Sequence, residues 1–164
     1  MNTTIRLFEV TDWQTVAAIY QQGLATRNAT FETQMPDIDS FVKKFHANML
    51  WVAMIENNVV GWAGLQPVSA RKAYEGVAEV TVYVDEKYAR KKIGSTLMDH
   101  LITESEHVGV WTLFASIFPE NVPSIQLHRS MGFREIGYRE KIAQLDGKWR
   151  DTILFERRSK VVGL

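Results

Sequence analysis

Glu79-Val80-Thr81-Val82-Tyr83-Val84 leads, a few residues on, into Arg90-Lys91-Lys92-Ile93-Gly94-Ser95-Thr96-Leu97. The first six residues are rich in β-branched and aromatic side chains and read as a strand, which the pattern extends from Val77 to Val84. Ile93, Leu97, Met98, Leu101 and Ile102 then recur at helical spacing, so a helix starts where the basic loop ends. The start of a helix leaves backbone N–H groups without intrahelical partners, and these attract phosphate. Gly94 allows close approach of a ligand, and Arg90, Lys91 and Lys92 add complementary charge. Taken alone, the stretch reads more readily as a solvated basic turn, because short glycine motifs are weak evidence.

Upstream, Thr4 to Phe8 alternates as a first strand, and Thr11-Asp12-Trp13-Gln14 has the pattern of a capping box. A helix follows through Val16, Ala17, Ile19 and Tyr20, and Pro36, Asp37 and Asp39 open a second through Phe41, Val42 and Phe45. Leu50 to Ile55 and Val59 to Leu65 are strands joined by Glu56-Asn57-Asn58. Downstream, Val110 to Phe118 is a buried type of strand. Asn121 and Pro123 then open a helix through Ile125, Leu127 and His128, which Gly132 closes. Glu135 to Ala143 and Trp149 to Phe155 are strands around an Asp146-Gly147 turn. This order predicts a mixed α/β layer architecture, with residues 1–164 as a single domain.

The composition removes several classes of function. There is no cysteine, hence no disulfide framework, thiolate metal site or cysteine nucleophile. The four histidines are scattered without a His-Glu-x-x-His spacing, so no metal site is expected. Lys+Arg and Asp+Glu both number 19, and nothing in that balance calls for nucleic acid or an anionic membrane. The first residues lack the apolar core of a signal peptide, and no apolar run approaches the roughly 18 residues of a membrane span. The expectation is a cytoplasmic domain.

A second stretch, Asn121-Val122-Pro123-Ser124-Ile125-Gln126-Leu127-His128-Arg129-Ser130-Met131-Gly132-Phe133, lies about 30 residues beyond the first. Together and in this order, the two resemble the signature of the GNAT N-acetyltransferases. The likeness runs from Ile5 to Phe155. It is closest to the branch that acts on phosphinothricin and methionine sulfoximine, through Ala29-Thr30-Phe31-Glu32, the Glu79 strand, Ser124 to His128 and Gly147-Lys148-Trp149-Arg150-Asp151. The resemblance implies a central, mostly antiparallel twisted sheet of about seven strands flanked by about four helices. It implies acetyl-coenzyme A as co-substrate, a small-molecule amine as acceptor, and a homodimer. The backbone of Val82 and Val84, with Tyr83 between them, would run beside the pantetheine arm. Backbone N–H groups of Arg90, Lys91, Lys92, Ile93, Gly94 and Ser95 would hold the pyrophosphate, and Asn121 and Ser124 the pantetheine end. Ala89 and Lys92 depart from the family pattern, and Lys92, where the family often has glycine, raises the question of a positive φ.

The chemistry follows from the amine. An ammonium carries a proton on its lone pair, and a base must remove it before attack on a thioester. Glu79 matches the branch's proposed base, and a backbone N–H near Val82 is the candidate for holding the developing oxyanion. His128 stands where many relatives place an acid for the departing thiolate, with a pKa near neutrality. An amino-acid-like acceptor also brings an anionic group, for which Arg71 and Lys72 are suited, with Ala73, Tyr74, Thr30 and Phe31 as walls of the pocket. The alternatives are another amine acceptor (a protein N-terminus, polyamine or aminoglycoside) or a domain that binds acetyl-coenzyme A without turning it over.

Overall fold

The computed structural model describes residues 2–164. Strand β1 (Thr4–Leu7) is followed by a short 3-10 turn over Val10–Asp12, α1 (Trp13–Thr26) and α2 (Ile38–Lys43). Then come β2 (Leu50–Ile55), β3 (Asn58–Pro67), β4 (Val77–Val84), α3 (Ile93–His107), β5 (Thr112–Ile117), α4 (Val122–Ser130), β6 (Arg134–Leu145) and β7 (Lys148–Arg158). The seven strands form one sheet in the order β1-β2-β3-β4-β5-β7-β6. Every neighbouring pair is antiparallel except β4 and β5.

Local chemistry explains most boundaries. The expected capping box at Thr11 and Gln14 is not used. The box lies one turn earlier, between Glu9 and Asp12, and Asp12 accepts from the Glu9 N–H at 2.8 Å and from Arg6 at 2.7 and 2.8 Å. Asp12 is buried and held by the bidentate Arg6 guanidinium, whereas Thr11 is exposed. Asp37 caps α2 by accepting from the Ser40 N–H at 2.8 Å. The β2–β3 turn needs only Glu56 and Asn57, both at positive φ, so β3 begins at Asn58. Asp146 and Gly147 repeat that arrangement between β6 and β7.

The sheet separates two apolar layers. On one face α3 and α4 bury Ile93, Leu97, Met98, Leu101 and Ile125 against Ala63, Leu65, Val80, Leu113, Ala115 and Phe155. On the other, α1 and α2 bury Val16, Ile19, Tyr20, Leu24 and Phe41 against Leu50, Val52 and Trp62. Residues two apart share a face of a sheet. Val82 and Val84 therefore belong to the α3 face, and Gln66, Glu79, Thr81 and Tyr83 to the α1 face.

β6 and β7 form a long hairpin with an irregularity in β6 between Arg139 and Ala143. Lys141 sits there at φ 48°, and its N–H donates to Asp151 Oδ1 at 2.7 Å. The Tyr138 hydroxyl donates to the other carboxylate oxygen. Asp151 thereby ties down the bulge, a role its place in the sequence motif did not suggest.

Candidate active site

β4 and β5 pair in register only at Val77–Thr112, Ala78–Leu113 and Glu79–Phe114. Beyond Glu79 the two strands part, although β4 stays paired to β3 as far as Val84 and β5 to β7 as far as Ile117. The facing edges of Val80–Val84 and Ala115–Ile117 therefore carry backbone groups with no strand partner, and an extended ligand between them completes both ladders. A cavity of about 680 Å³ fills this gap. Val80, Val82, Val84 and Ala115 to Phe118 line it, with Gly94, Asn121, Ser124, Leu127 and His128 on one side and Tyr20, Thr30, Phe31, Glu32, Glu79 and Tyr83 on the other.

The loop that enters α3 answers the question posed by Lys92. Both Arg90 (φ 61°) and Lys92 (φ 63°) are left-handed, and Lys92 is the N-cap of α3 with no side-chain cap bond. Left-handed residues at the entry to a helix redirect the backbone N–H groups around them, and this loop leads onto the N-terminus of α3, whose own free N–H groups favour an anion. Gly94 is not held by φ, and a Cβ there would make only ordinary contacts, with Leu127 at 3.4 Å and Val84 at 3.7 Å, so its effect is to keep the wall of the cavity bare for a ligand. Lys92→Gly is expected to raise the free energy of unfolding by about 0.5–1 kcal/mol, because glycine removes the left-handed penalty. It should also weaken acetyl-coenzyme A binding in a salt-dependent way through the lost cation; chemical denaturation and a titration of the ligand measure the two effects.

Glu79 is half-buried on the α1 face, at the residue where the strands part. Burial pushes its carboxyl above the usual carboxylate range, and the charge of Arg139 pulls it partly back. Its neighbours on that face fix the strand. The Gln66 side-chain amide donates to Thr81 Oγ1 at 3.2 Å, and the Tyr83 ring stacks on Trp62 with centroids 4.9 Å apart. Gly23 of α1 makes room for that ring, since a Cβ there would lie 2.3 Å from it. Burial raises the Tyr83 hydroxyl pKa, so Tyr83 stays neutral.

On the opposite wall, His128 is buried in α4 with Nδ1 2.7 Å from the Ser124 carbonyl oxygen. A carbonyl only accepts, so Nδ1 carries a proton and the neutral ring has its lone pair on Nε2. Burial lowers the His128 pKa, opposed by the bond to Ser124, which favours this neutral form. As it rests, His128 is a proton acceptor at Nε2; it becomes an acid only after taking a proton up. Asn121 is the N-cap of α4, and its Oδ1 accepts from the Ser124 N–H at 3.3 Å, leaving its amide NH2 free of that bond.

The loop after α1 walls the Glu79 side of the cavity, and the β6–β7 hairpin holds that loop. Arg150 donates to Arg27 O at 2.6 Å and Asn28 Oδ1 at 2.8 Å, and its guanidinium lies 4.2 Å from the Phe118 ring centroid. Phe31 packs edge-on against the same Phe118 ring at 4.8 Å. Thr30 and Phe31 thus reach the cavity as expected. Arg71, Lys72, Ala73 and Tyr74 do not line it: they form an exposed turn before β4, with the Arg71 guanidinium over the Tyr74 ring at 5.4 Å. Glu32, quoted above only as part of a motif, lines the cavity, as do two residues that no motif included, Lys44 and Thr152, and a further one, Arg139, lies beside it. Only the strand register, invisible before the topology was known, places the last two.

A sheet splayed beside a helix N-terminus, with a carboxylate of raised pKa at the fork, is compatible with the acyl transfer to an amine that the resemblance to the GNAT N-acetyltransferases implies. The family model described as "Acetyltransferase (GNAT) family" matches residues 12–133, and the chain belongs to that family. A Bacillus subtilis protein provisionally named a phosphinothricin acetyltransferase is 35% identical over 94% of this chain and 98% of its own. The Salmonella typhimurium L-methionine sulfoximine/L-methionine sulfone acetyltransferase is 27% identical over 93% and 92%. The crystal structure of a Sinorhizobium meliloti phosphinothricin acetyltransferase in complex with acetyl-coenzyme A superposes with a TM-score of 0.89 at 25% identity, covering 99% of this chain and 91% of that one. The protein is accordingly a GNAT N-acetyltransferase with the expected seven-stranded, mostly antiparallel sheet and four helices.

Proposed function

We propose that this enzyme transfers the acetyl group of acetyl-coenzyme A directly to the primary amine of a small amino-acid-like acceptor of the methionine sulfoximine, methionine sulfone or phosphinothricin type. The observation that carries the reading is Glu79, half-buried, raised in pKa and set at the fork between β4 and β5. The thioester of acetyl-coenzyme A supplies the activated acyl group. The N–H groups of Arg90 to Ser95 hold its diphosphate, and the free edges of β4 and β5 hold its extended arm. Glu79 takes the ammonium proton, directly or through a water, and a backbone N–H near Val82 supports the negative charge that develops on the carbonyl oxygen. Attack leaves the nitrogen of the tetrahedral adduct with one proton too many for an amide; His128 accepts that proton at Nε2 and passes it to the departing thiolate, whose conjugate acid has a pKa of about 8.5.

The acceptor class rests on the similarity to enzymes named for such substrates and on the mixed charge of the acceptor end, where Glu32 and Glu79 face Lys44 and Arg139. Arg71 and Lys72, outside the cavity of one chain, serve the acceptor only from the rim or across a subunit boundary. Ile136, Tyr138, Ile142 and Trp149 are exposed on the β6–β7 hairpin, an apolar surface that suits a homodimer.

Free-thiol release from acetyl-coenzyme A, followed across methionine sulfoximine, methionine sulfone, phosphinothricin, ordinary amino acids, spermidine, an aminoglycoside and an N-terminal peptide, tests the reading. Turnover confined to the first three and related amino acids is expected. Turnover confined to the polyamine, aminoglycoside or peptide replaces the acceptor class. Binding of acetyl-coenzyme A with no release removes the activity altogether.

A further inference from the structure

We propose that Arg139, with the Thr152 hydroxyl beside it, binds the α-carboxylate of the acceptor; the proposal rests on the amino-acid reading given above. The register of the sheet carries the argument. Glu79 pairs with Phe114 on β5, Phe114 with Glu156 on β7, and Thr152 lies four residues from Glu156 and so on the same face. Thr152 in turn pairs with Arg139 across β6 and β7, and directly opposed residues share a face. Glu79, Thr152 and Arg139 therefore line one side of one sheet, the side on which the acceptor end of the cavity opens.

Two observations show unfinished bonding there. Thr152 is 3% exposed and borders the cavity, yet its Oγ1 has no hydrogen-bond partner. A buried hydroxyl left so is rare in folded proteins, and at the border of the cavity a polar atom of a bound acceptor would satisfy it. Arg139 is exposed and forms no ion pair or hydrogen bond among the described residues, whereas Arg134 and Arg150 on the same hairpin are both engaged with carboxylates. Arg139 is nonetheless the cation whose field reaches Glu79.

The chemistry of an α-amino acid joins these facts. Its amine and carboxylate are attached to one carbon, so a site that delivers the amine to Glu79 must place a cation within a few ångströms of that carboxylate. Lys44 borders the cavity from α2's C-terminal end and Arg71 and Lys72 sit on the exposed turn before β4, whereas Arg139, beside the cavity, shares a sheet face with Glu79 and is paired with Thr152, which lines it. Arg139 offers the planar two-pronged donor that fits a carboxylate, and the Thr152 hydroxyl supplies one further donor. The anionic or tetrahedral side-chain group of the acceptor is left to the other cations.

The test compares L-methionine sulfone with its α-carboxamide as acceptors, at a pH where Glu79 is ionised. The two are alike in size and shape, and the lower amine pKa of the carboxamide is common to every variant, so it cancels when their acid-to-amide ratios are compared at one pH. The wild-type enzyme should prefer the acid in kcat/KM by roughly 30-fold, the value of one charge-assisted pair. Arg139→Gln should reduce that preference to a few-fold by raising KM for the acid, with KM for acetyl-coenzyme A unmoved. Any effect of the lost charge on Glu79 touches acid and amide alike and cancels in the ratio. Thr152→Val, which keeps the shape, should raise KM for the acid several-fold and leave the melting temperature the same or higher, since it removes a hydroxyl without a partner. An unchanged acid-to-amide ratio in Arg139→Gln overturns the proposal, as does a ratio that collapses instead in Lys44→Ala or in Arg71→Ala/Lys72→Ala. If the wild-type enzyme acetylates neither compound nor any other amino acid, it is the acceptor class that fails, and this assignment falls with it.

Discussion

Glu79→Gln is expected to lower kcat by roughly 10²–10⁴-fold, the usual worth of a positioned general base, while leaving the affinity for acetyl-coenzyme A nearly intact. The second half follows from geometry, because Glu79 points to the α1 face and the ligand's arm and diphosphate are assigned to backbone groups of β4, β5 and the α3 loop. The acidic limb of the wild-type pH–rate profile should lie above the ordinary carboxylate range, since burial raises the Glu79 pKa, and the limb should vanish in Glu79→Gln. The same shift has a consequence for stability. A carboxyl whose pKa is higher folded than unfolded binds more protons in the native state between the two values, so its ionisation costs stability as pH rises through that window. Below the unfolded value both states are protonated and the penalty is absent. Glu79→Gln should therefore be as stable as the wild type at acidic pH and more stable at neutral pH. Thermal melts at two pH values together with steady-state kinetics read all of this. A variant that loses turnover and also melts lower at neutral pH would make Glu79 a structural residue.

The contrast between what the sequence disclosed and what it hid has a physical pattern. β4 and the helix after it were legible because each rests on local signals: β-branched residues for a strand, apolar residues at helical spacing, and a glycine at a helix start. The order of elements and the two spaced motifs carried the family, and with it the strand count. Asn121 and His128 were found because they sit in one short helix. The Glu9–Asp12 cap was missed, because Arg6 competes for Asp12 from the preceding strand and no local pattern reports that. The fork after Glu79 was not derivable from residues 77–84 alone, since it depends on where β5 turns away to follow β7. Arg139 and Thr152 were invisible for the same reason: they are 13 residues apart in sequence and become neighbours only through the register of a bulged hairpin. Arg71 and Lys72 suit an anion by charge and by their place before β4, but a short 3-10 turn and the contact of Arg71 with Tyr74 leave them outside the cavity of a single chain.

Trp62→Ala should destabilise the protein by about 3–5 kcal/mol, the range for removing a large buried aromatic, and lower the melting temperature by roughly 6–20 °C for a chain of this size. Trp62 is 1% exposed and touches four other aromatic rings, edge-on to Tyr20 at 5.5 Å, Phe41 at 5.1 Å and Phe45 at 5.9 Å, and stacked on Tyr83. Its removal opens a cavity that Gly64 cannot fill, because Phe45 already occupies the space above that glycine. Trp62→Phe should cost much less than the alanine change. It keeps most of the ring and deletes an indole N–H that is buried without a partner. The two apolar layers lie on opposite faces of the sheet, so the damage should also be directional. At a temperature where Trp62→Ala remains folded, acetyl-coenzyme A binding should survive, because α3, α4 and the backbone of the fork rest on the other layer. Acceptor KM should rise, because Tyr83 loses the surface that holds its ring at the wall of the acceptor end. Equal losses of both affinities would show instead that the layers behave as one cooperative unit and that the site has no separable halves.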